Sequence, residues 1–130
     1  MIIYHNARCS KSREALEILK KNKCEIKIRE YLKIPPTKKE LKELLGKLGC
    51  KPFDLIRKSE KLYIEKFQGK KFTDAQWIKI LSENPILIER PLIIDGKKAI
   101  VGRPPSLILS LVKKRKSNHS NSVTKGLLKK

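Results

Sequence analysis

A cysteine stands in the run His5-Asn6-Ala7-Arg8-Cys9-Ser10-Lys11-Ser12-Arg13, directly after the apolar segment Ile2-Ile3-Tyr4. A cysteine that ends a strand and opens a helix has its sulfur beside the helix's unsatisfied N–H groups, which with the helix dipole favour thiolate over thiol. The neighbours Arg8, Lys11 and Arg13 add positive field, and His5 lies four residues upstream. A thiolate so placed is a nucleophile, and the same helix end cradles oxyanions. A cysteine is equally often a small buried apolar residue, so this segment alone leaves two readings open.

The rest of the composition narrows the setting. A chain of 130 residues is large enough for one core and too short for two. Its three cysteines are odd in number and spaced 15 and 26 apart, which fits neither a disulfide framework nor a zinc site. A reducing, cytoplasmic compartment is expected, with no metal. Met1 to Asn6 reads as too short for a signal peptide, and no apolar stretch approaches membrane-spanning length.

The formal net charge is +19, of which the segment Lys113–Lys130 supplies seven Lys/Arg and no acid. Such a tail can hold nucleic acid nonspecifically. In the body, Lys38, Lys39, Lys42 and Lys47 alternate with glutamates on what reads as a solvated helix face. No aromatic-and-basic stripe suited to stacking bases is present, so nucleic acid is not expected as the primary partner.

The elements that must position Cys9 follow from periodicity. Met1 to His5 reads as a strand, and Ser10 to Asn22 as a helix with the stripe Ala15, Leu16, Leu19. Glu25 to Leu32 alternates Ile26 and Ile28 before Tyr31 or Leu32, a second strand, which makes a βαβ unit with parallel strands. After Pro35-Pro36, Thr37 and Glu40 form a capping box for a helix burying Leu41, Leu44, Leu45 and Leu48 and ending at Gly49. Short helical pieces follow over Pro52 to Lys58 and Glu60 to Phe67. A further helix, capped at Thr73 or Asp74, carries Trp77, Ile78 and Leu81 and stops at Asn84-Pro85. Leu92-Ile93-Ile94 and Ala99-Ile100-Val101 flank an Asp95-Gly96 turn, a hairpin. Arg103-Pro104-Pro105-Ser106 leads into a last helix with Leu107, Ile108, Leu111 and Val112.

The order is β-α-β, a helical insertion over about residues 37–84, then β-β-α. This predicts an α/β chain with a thioredoxin-like, mixed four-stranded sheet in one domain over residues 1–113. Residues 114–130 are expected to form a basic, disordered tail.

Within this order, Tyr4-His5-Asn6 to Arg13, Leu55-Ile56-Arg57-Lys58, Asn84-Pro85-Ile86-Leu87-Ile88-Glu89-Arg90-Pro91 and Gly102-Arg103-Pro104-Pro105 resemble, in sequence and spacing, the glutaredoxin-dependent arsenate reductase family. The resemblance runs from Ile2 to about Lys113. It implies that Cys9 attacks arsenate and that Arg57, Arg90 and Arg103 surround the oxyanion. It also implies a cis bond before Pro91. Guanidinium groups bind such oxygens bidentately, which lysine cannot match. The chain has only seven arginines among its 32 basic residues, yet arginine fills all three family positions.

The family's reductants, glutathione as co-substrate and glutaredoxin as protein partner, are likewise implied, with no bound cofactor. His5 is expected to shape the cysteine's surroundings through charge and Asn6 through hydrogen bonding. Ser12 is expected to accept local N–H groups or donate to the sulfur. The chain departs from the family at Ala7, where proline is usual, and at Ser106, where an acid is common. Cys24 and Cys50 match no family catalytic position. Two other readings share the fold: a glutathione-dependent thiol reductase, and an RNA-polymerase-binding regulator related to the Spx proteins. Those regulators carry a Cys-x-x-Cys switch where this chain has Cys9 and Ser12. A monomer is the expected state.

Overall fold

The computed structural model describes residues 1–113. The expected tail lies outside these residues. Strand β1 spans Ile2–Tyr4, helix α1 Ser10–Lys21 and strand β2 Lys27–Arg29. Helices α2 (Lys38–Leu48), α3 (Lys61–Lys66) and α4 (Asp74–Glu83) follow, with single 3-10 turns at Pro52–Leu55 and Pro85–Leu87. The hairpin is β3 (Leu92–Asp95) with β4 (Lys98–Val101), and helix α5 occupies 105–113.

The four strands form one sheet in the order β2-β1-β3-β4, with β1 parallel to β2 and antiparallel to β3, and β3 antiparallel to β4. This is the mixed sheet that the element order predicts. Alternation along the strands assigns each residue to one of two cores. Ile3 and Ile93 face α1 and α5, where they join Ala15, Leu19, Ile108, Leu111 and Val112. Tyr4, Leu92 and Ile94 face the opposite way, onto Leu41, Leu44 and Leu81 of the helical insertion. Each fully buried aliphatic side chain contributes about 1.5–3 kcal/mol of transfer free energy, so the two faces jointly fix the strand register.

Local signals set the helix ends. Thr37 accepts from the Glu40 amide and Glu40 returns a bond to the Thr37 amide, and Thr73 with Gln76 repeats the device on α4. Gly49 closes α2 at φ 69°, a left-handed cap that favours glycine. Two expectations need correction. Strand β2 is three residues long, because it is the sheet edge and Ile28 is exposed there; Glu30 and Tyr31 have already left for a turn. The hairpin turn lies one residue later than expected, at Gly96-Lys97, since Asp95 pairs with Lys98 and Gly96 takes φ 60°.

Gly102 is held by close approach. A Cβ there would lie 2.8 Å from Ile108 Cγ1, 2.9 Å from its Cδ1 and 3.2 Å from Pro91 Cγ. Because Ile108 is a core residue with little room to yield, Gly102→Ala is expected to lower stability by about 1–3 kcal/mol, the usual cost of overpacking. Gly46→Ala meets nothing within 4 Å inside α2 and is expected to raise stability by about 0.5–1 kcal/mol. Urea midpoints of the two variants check this: a Gly102→Ala protein as stable as wild type would contradict the packing argument.

Candidate active site

Cys9 is the N-cap of α1, with extended backbone at φ −92° and ψ 121°. Its amide donates to Asn6 O at 2.9 Å and its carbonyl accepts the first helical bond from Arg13 N at 3.0 Å, so the loop and the helix hold it from both sides. No acidic residue stands in the first turn of α1, which leaves the helix end electropositive. The sulfur makes no capping hydrogen bond of ordinary length, but the Ser12 and Lys11 amides lie close enough to stabilise its charge. Burial alone would push the thiol up; the Ser12 amide, the Arg90 guanidinium and the Lys11 amide outweigh it and hold Cys9 below its ordinary value.

The loop rests on Ser12. It sits one turn into α1 on the same face as Ala15 and Leu19 and is wholly buried, so its hydroxyl must find protein partners. Ser12 Oγ accepts from Asn6 N at 3.0 Å and shares a 2.7 Å hydrogen bond with His5 Nδ1. Asn6 Oδ1 accepts from Arg8 N at 3.0 Å, and Arg13 Nη1 donates to Ala7 O at 3.0 Å. Ser12 therefore ties the His5-Asn6 end of the loop to the helix.

His5 is buried, and burial pushes its imidazole below its ordinary value; nearby Lys20 and Arg13 push the same way and only Glu30 opposes. These shifts favour the neutral ring, whose Nδ1 shares the hydrogen bond with Ser12. The folded ring takes a proton less readily than the unfolded one. Its contribution to stability is full above the ordinary value of 6.5 and is lost as pH falls from there toward the lowered folded value. Wild type is expected to lose more Tm than His5→Gln between about pH 7.5 and about pH 5.5. Equal losses would show that His5 is not the group responsible.

The arginines arrive from the other side of the fold. Directly after each of the two 3-10 turns the chain extends, and Ile56 bridges Ile88, with Arg57 N donating to Leu87 O at 2.7 Å and Glu89 N to Leu55 O at 2.8 Å. Ile56 and Ile88 are both core residues, and this short ladder sets the Arg57 and Arg90 segments side by side. Arg90 precedes a cis bond to Pro91, as the resemblance implies, and Arg103 precedes a second one to Pro104. Gly102 N donates to Pro91 O at 2.8 Å and Arg103 Nε donates to Arg90 O at 2.7 Å, so Arg103 is joined to Arg90 through its backbone.

Burial would lower the Arg90 pKa, and the neighbouring Tyr31 hydroxyl and Cys9 sulfur outweigh it and hold the guanidinium above its ordinary value. Arg57 Nε lies 3.7 Å from Glu60 Oε2, an ion pair without a hydrogen bond. Nε and Nη1 of both Arg57 and Arg90 are buried and lack hydrogen-bond partners among the described residues. A buried unpaired donor costs about 1–3 kcal/mol, more on a charged group, so these N–H groups favour acceptors that the described residues do not supply. The oxygens of a tetrahedral oxyanion are acceptors of the kind that guanidinium groups take.

Arg90 neighbours Cys9, the Ile56–Ile88 bridge sets the Arg57 segment beside that of Arg90, and Arg103 is bound to Arg90 O, while His5, Asn6 and Ser12 hydrogen-bond within and below the cysteine loop. Tyr31 belongs to the group and was read from sequence only as a strand position. Cys24 and Cys50 sit at the margins of the two cores, away from the loop, as free thiols. No group of His, Cys, Asp and Glu able to hold a metal occurs among the described residues, and no helix there is long and apolar enough to cross a membrane.

A family model described as "ArsC family" matches residues 4–111. The chain belongs to the ArsC family. Similar proteins include the uncharacterized protein YfgD of Escherichia coli strain K12, 40% identical over 85% of this chain and 94% of that one. A protein of Haemophilus influenzae named arsenate reductase is 37% identical, covering 86% of this chain and 98% of its own. Among solved structures, one titled as an arsenate reductase from Vibrio cholerae superimposes with a TM-score of 0.80 at 37% identity, over 84% of this chain and 94% of that one. The ArsC-family match spans β1 to α5, and so includes every residue of the site.

Proposed function

We propose that this ArsC-family protein reduces arsenate to arsenite, with Cys9 as the nucleophile and glutathione and glutaredoxin as the reductants. The observation that carries the reading is a cysteine held toward thiolate at a helix N-terminus, beside arginines whose buried N–H groups have no partner. The arsenate reductase names of relatives at 37% identity support the same substrate.

In this reading the Cys9 thiolate attacks arsenic and one oxygen leaves as water after protonation, giving a Cys9–S–As(V) adduct. Arg57, Arg90 and Arg103 hold the remaining oxygens and offset the charge that gathers on them. A glutathione thiolate then attacks the Cys9 sulfur. The S–As bond breaks with its electron pair going to arsenic, which leaves as arsenite, while the two sulfurs become a mixed disulfide. Glutaredoxin attacks the glutathione sulfur and returns Cys9 as thiolate. Arginine rather than lysine suits the oxyanion because its charge persists and its paired N–H groups match two oxygens at once.

The test is arsenate-dependent NADPH oxidation with glutathione, glutathione reductase and glutaredoxin. Turnover that requires arsenate and every thiol component is the expected result. No turnover with arsenate, while the Cys9 thiol remains reactive, would refute the substrate assignment.

A further inference from the structure

A cleft of ≈ 350 Å³ opens between Asn6-Ala7-Arg8 on one wall and Glu30, Leu32 and Lys33 on the other. That volume lies in the range of small-molecule sites. Both walls are held from behind. Ser12 ties down the first through its bonds to Asn6 N and His5 Nδ1. The second is the turn after β2, closed by Lys33 N and Ile34 N, which both donate to Glu30 O at 3.0 Å. Arg29 clamps the far end of that turn, donating to Ile34 O at 2.8 Å, to Pro35 O at 3.0 Å and to both Glu40 oxygens at 2.9 and 3.2 Å. His5 N donates to Arg29 O at 2.8 Å and joins one wall to the other. A cleft with fixed walls orders a ligand at low cost.

Its charges are of both signs. Glu30 and Lys33 stand together, with Lys33 Nζ 3.6 Å from Glu30 Oε1 and side chains 46% and 75% exposed. An exposed pair of this kind contributes little to stability, so its members stay open to partners from solution. Arg8, exposed on the opposite wall, adds a second cation. A carboxylate and an ammonium side by side match a group that carries both charges on one carbon, and a separate guanidinium matches a second carboxylate. Leu32 lies between them in the cleft and is exposed to an aliphatic stem. Glutathione has this pattern: an amino-acid zwitterion and methylenes on its γ-glutamyl arm, a carboxylate on its glycine, and the thiol between the two. Cys9 N donates to Asn6 O at 2.9 Å and closes a tight turn. Its Cα is therefore within about 7 Å of that of Asn6, which lines the cleft. An extended tripeptide spans about 10 Å, enough to cross that turn.

We propose that this cleft is the glutathione subsite: Glu30 and Lys33 bind the ammonium and carboxylate of the γ-glutamyl arm, Arg8 binds the glycine carboxylate, and the thiol is carried to the Cys9 sulfur. The inference deepens the arsenate reading and rests on it for the step in which the thiol is used.

The decisive experiment follows thiol–disulfide exchange with glutathione disulfide on the full chain. The Cys9 thiolate attacks one sulfur of that disulfide, forming the Cys9–glutathione disulfide and releasing a glutathione thiolate. The rate is read on the Cys9 peptide by mass spectrometry and divided by the rate of iodoacetamide alkylation, so that changes in the Cys9 thiolate itself cancel. Glu30→Gln and Lys33→Gln are each expected to lower this ratio by about tenfold, the loss of one charge-assisted contact. Both should leave it unchanged for the disulfide of cysteinylglycine, which lacks the γ-glutamyl arm. Arg8→Gln is expected to lower it with both disulfides, since both keep the glycine carboxylate. A wild-type ratio in Glu30→Gln and Lys33→Gln, or equal losses with the two disulfides in those variants, would overturn the proposal. None of these reactions needs arsenate, so a protein that fails to turn over arsenate refutes the substrate assignment and leaves the subsite decided by its own measurement.

Discussion

Cys9→Ser is expected to abolish arsenate reduction entirely while leaving the fold in place. The serine hydroxyl stays protonated, because the field of the Ser12 and Lys11 amides and of Arg90 lowers a thiol's pKa but is far from enough to ionise an alcohol. An oxygen at this position also cannot form the disulfide that carries the two electrons, so no bypass through the same residue exists. Stability should not suffer. Cys9 makes no capping hydrogen bond, whereas serine is a preferred N-cap, and a gain of up to about 1 kcal/mol is expected. Arsenite production and urea unfolding check both halves. Reduction surviving in Cys9→Ser would remove Cys9 from the chemistry.

Arg90→Ala is expected to lower kcat/KM for arsenate by about 10²–10³, the usual cost of deleting one preorganised oxyanion donor. Arg90 also supports the thiolate, so the same variant should move the pH profile of Cys9 alkylation upward, an effect that a purely substrate-binding arginine would not have. Arg90→Lys should recover the charge but not the paired N–H geometry, and with it only part of the rate. Arg57→Ala, which removes two further unpaired buried donors, is expected to weaken arsenate use without the same shift of Cys9. A fall in kcat/KM of less than about threefold in Arg90→Ala would contradict its placement at the oxyanion.

The sequence carried the fold further than the site. Helix α2 is legible to the residue because Thr37 with Glu40 and the closing Gly49 are local signals that owe nothing to tertiary contacts, whereas the cap of α4 stays open between Thr73 and Asp74 until the Thr73–Gln76 box settles it. Strand β2 was read too long because alternation cannot tell a sheet position from an edge that has begun to turn, and Ile28 continues the pattern although it faces solvent. Cys9 was visible from its place between a strand and a helix.

The arginines were not visible in that way. Arg57, Arg90 and Arg103 are far apart in the chain and meet through the Ile56–Ile88 bridge and the Arg103 Nε to Arg90 O bond, neither of which has a local signature. Only the family resemblance singled them out. The burial of His5 is a product of the packed loop and cannot be read from its neighbours in sequence. Tyr31 was missed for the same reason: an aromatic at the end of an alternating run reads as core, and it is core, except for one oxygen.

The central claim is that arsenate is reduced through a covalent sequence on Cys9. The most direct measurement is peptide mass spectrometry of the protein incubated with arsenate and glutathione but without glutaredoxin, so that the mixed disulfide accumulates. Glutathione on the Cys9 peptide, formed only when arsenate is present, is the result the account predicts. Glutathione on Cys24 or Cys50 instead, or on Cys9 to the same extent without arsenate, would contradict it.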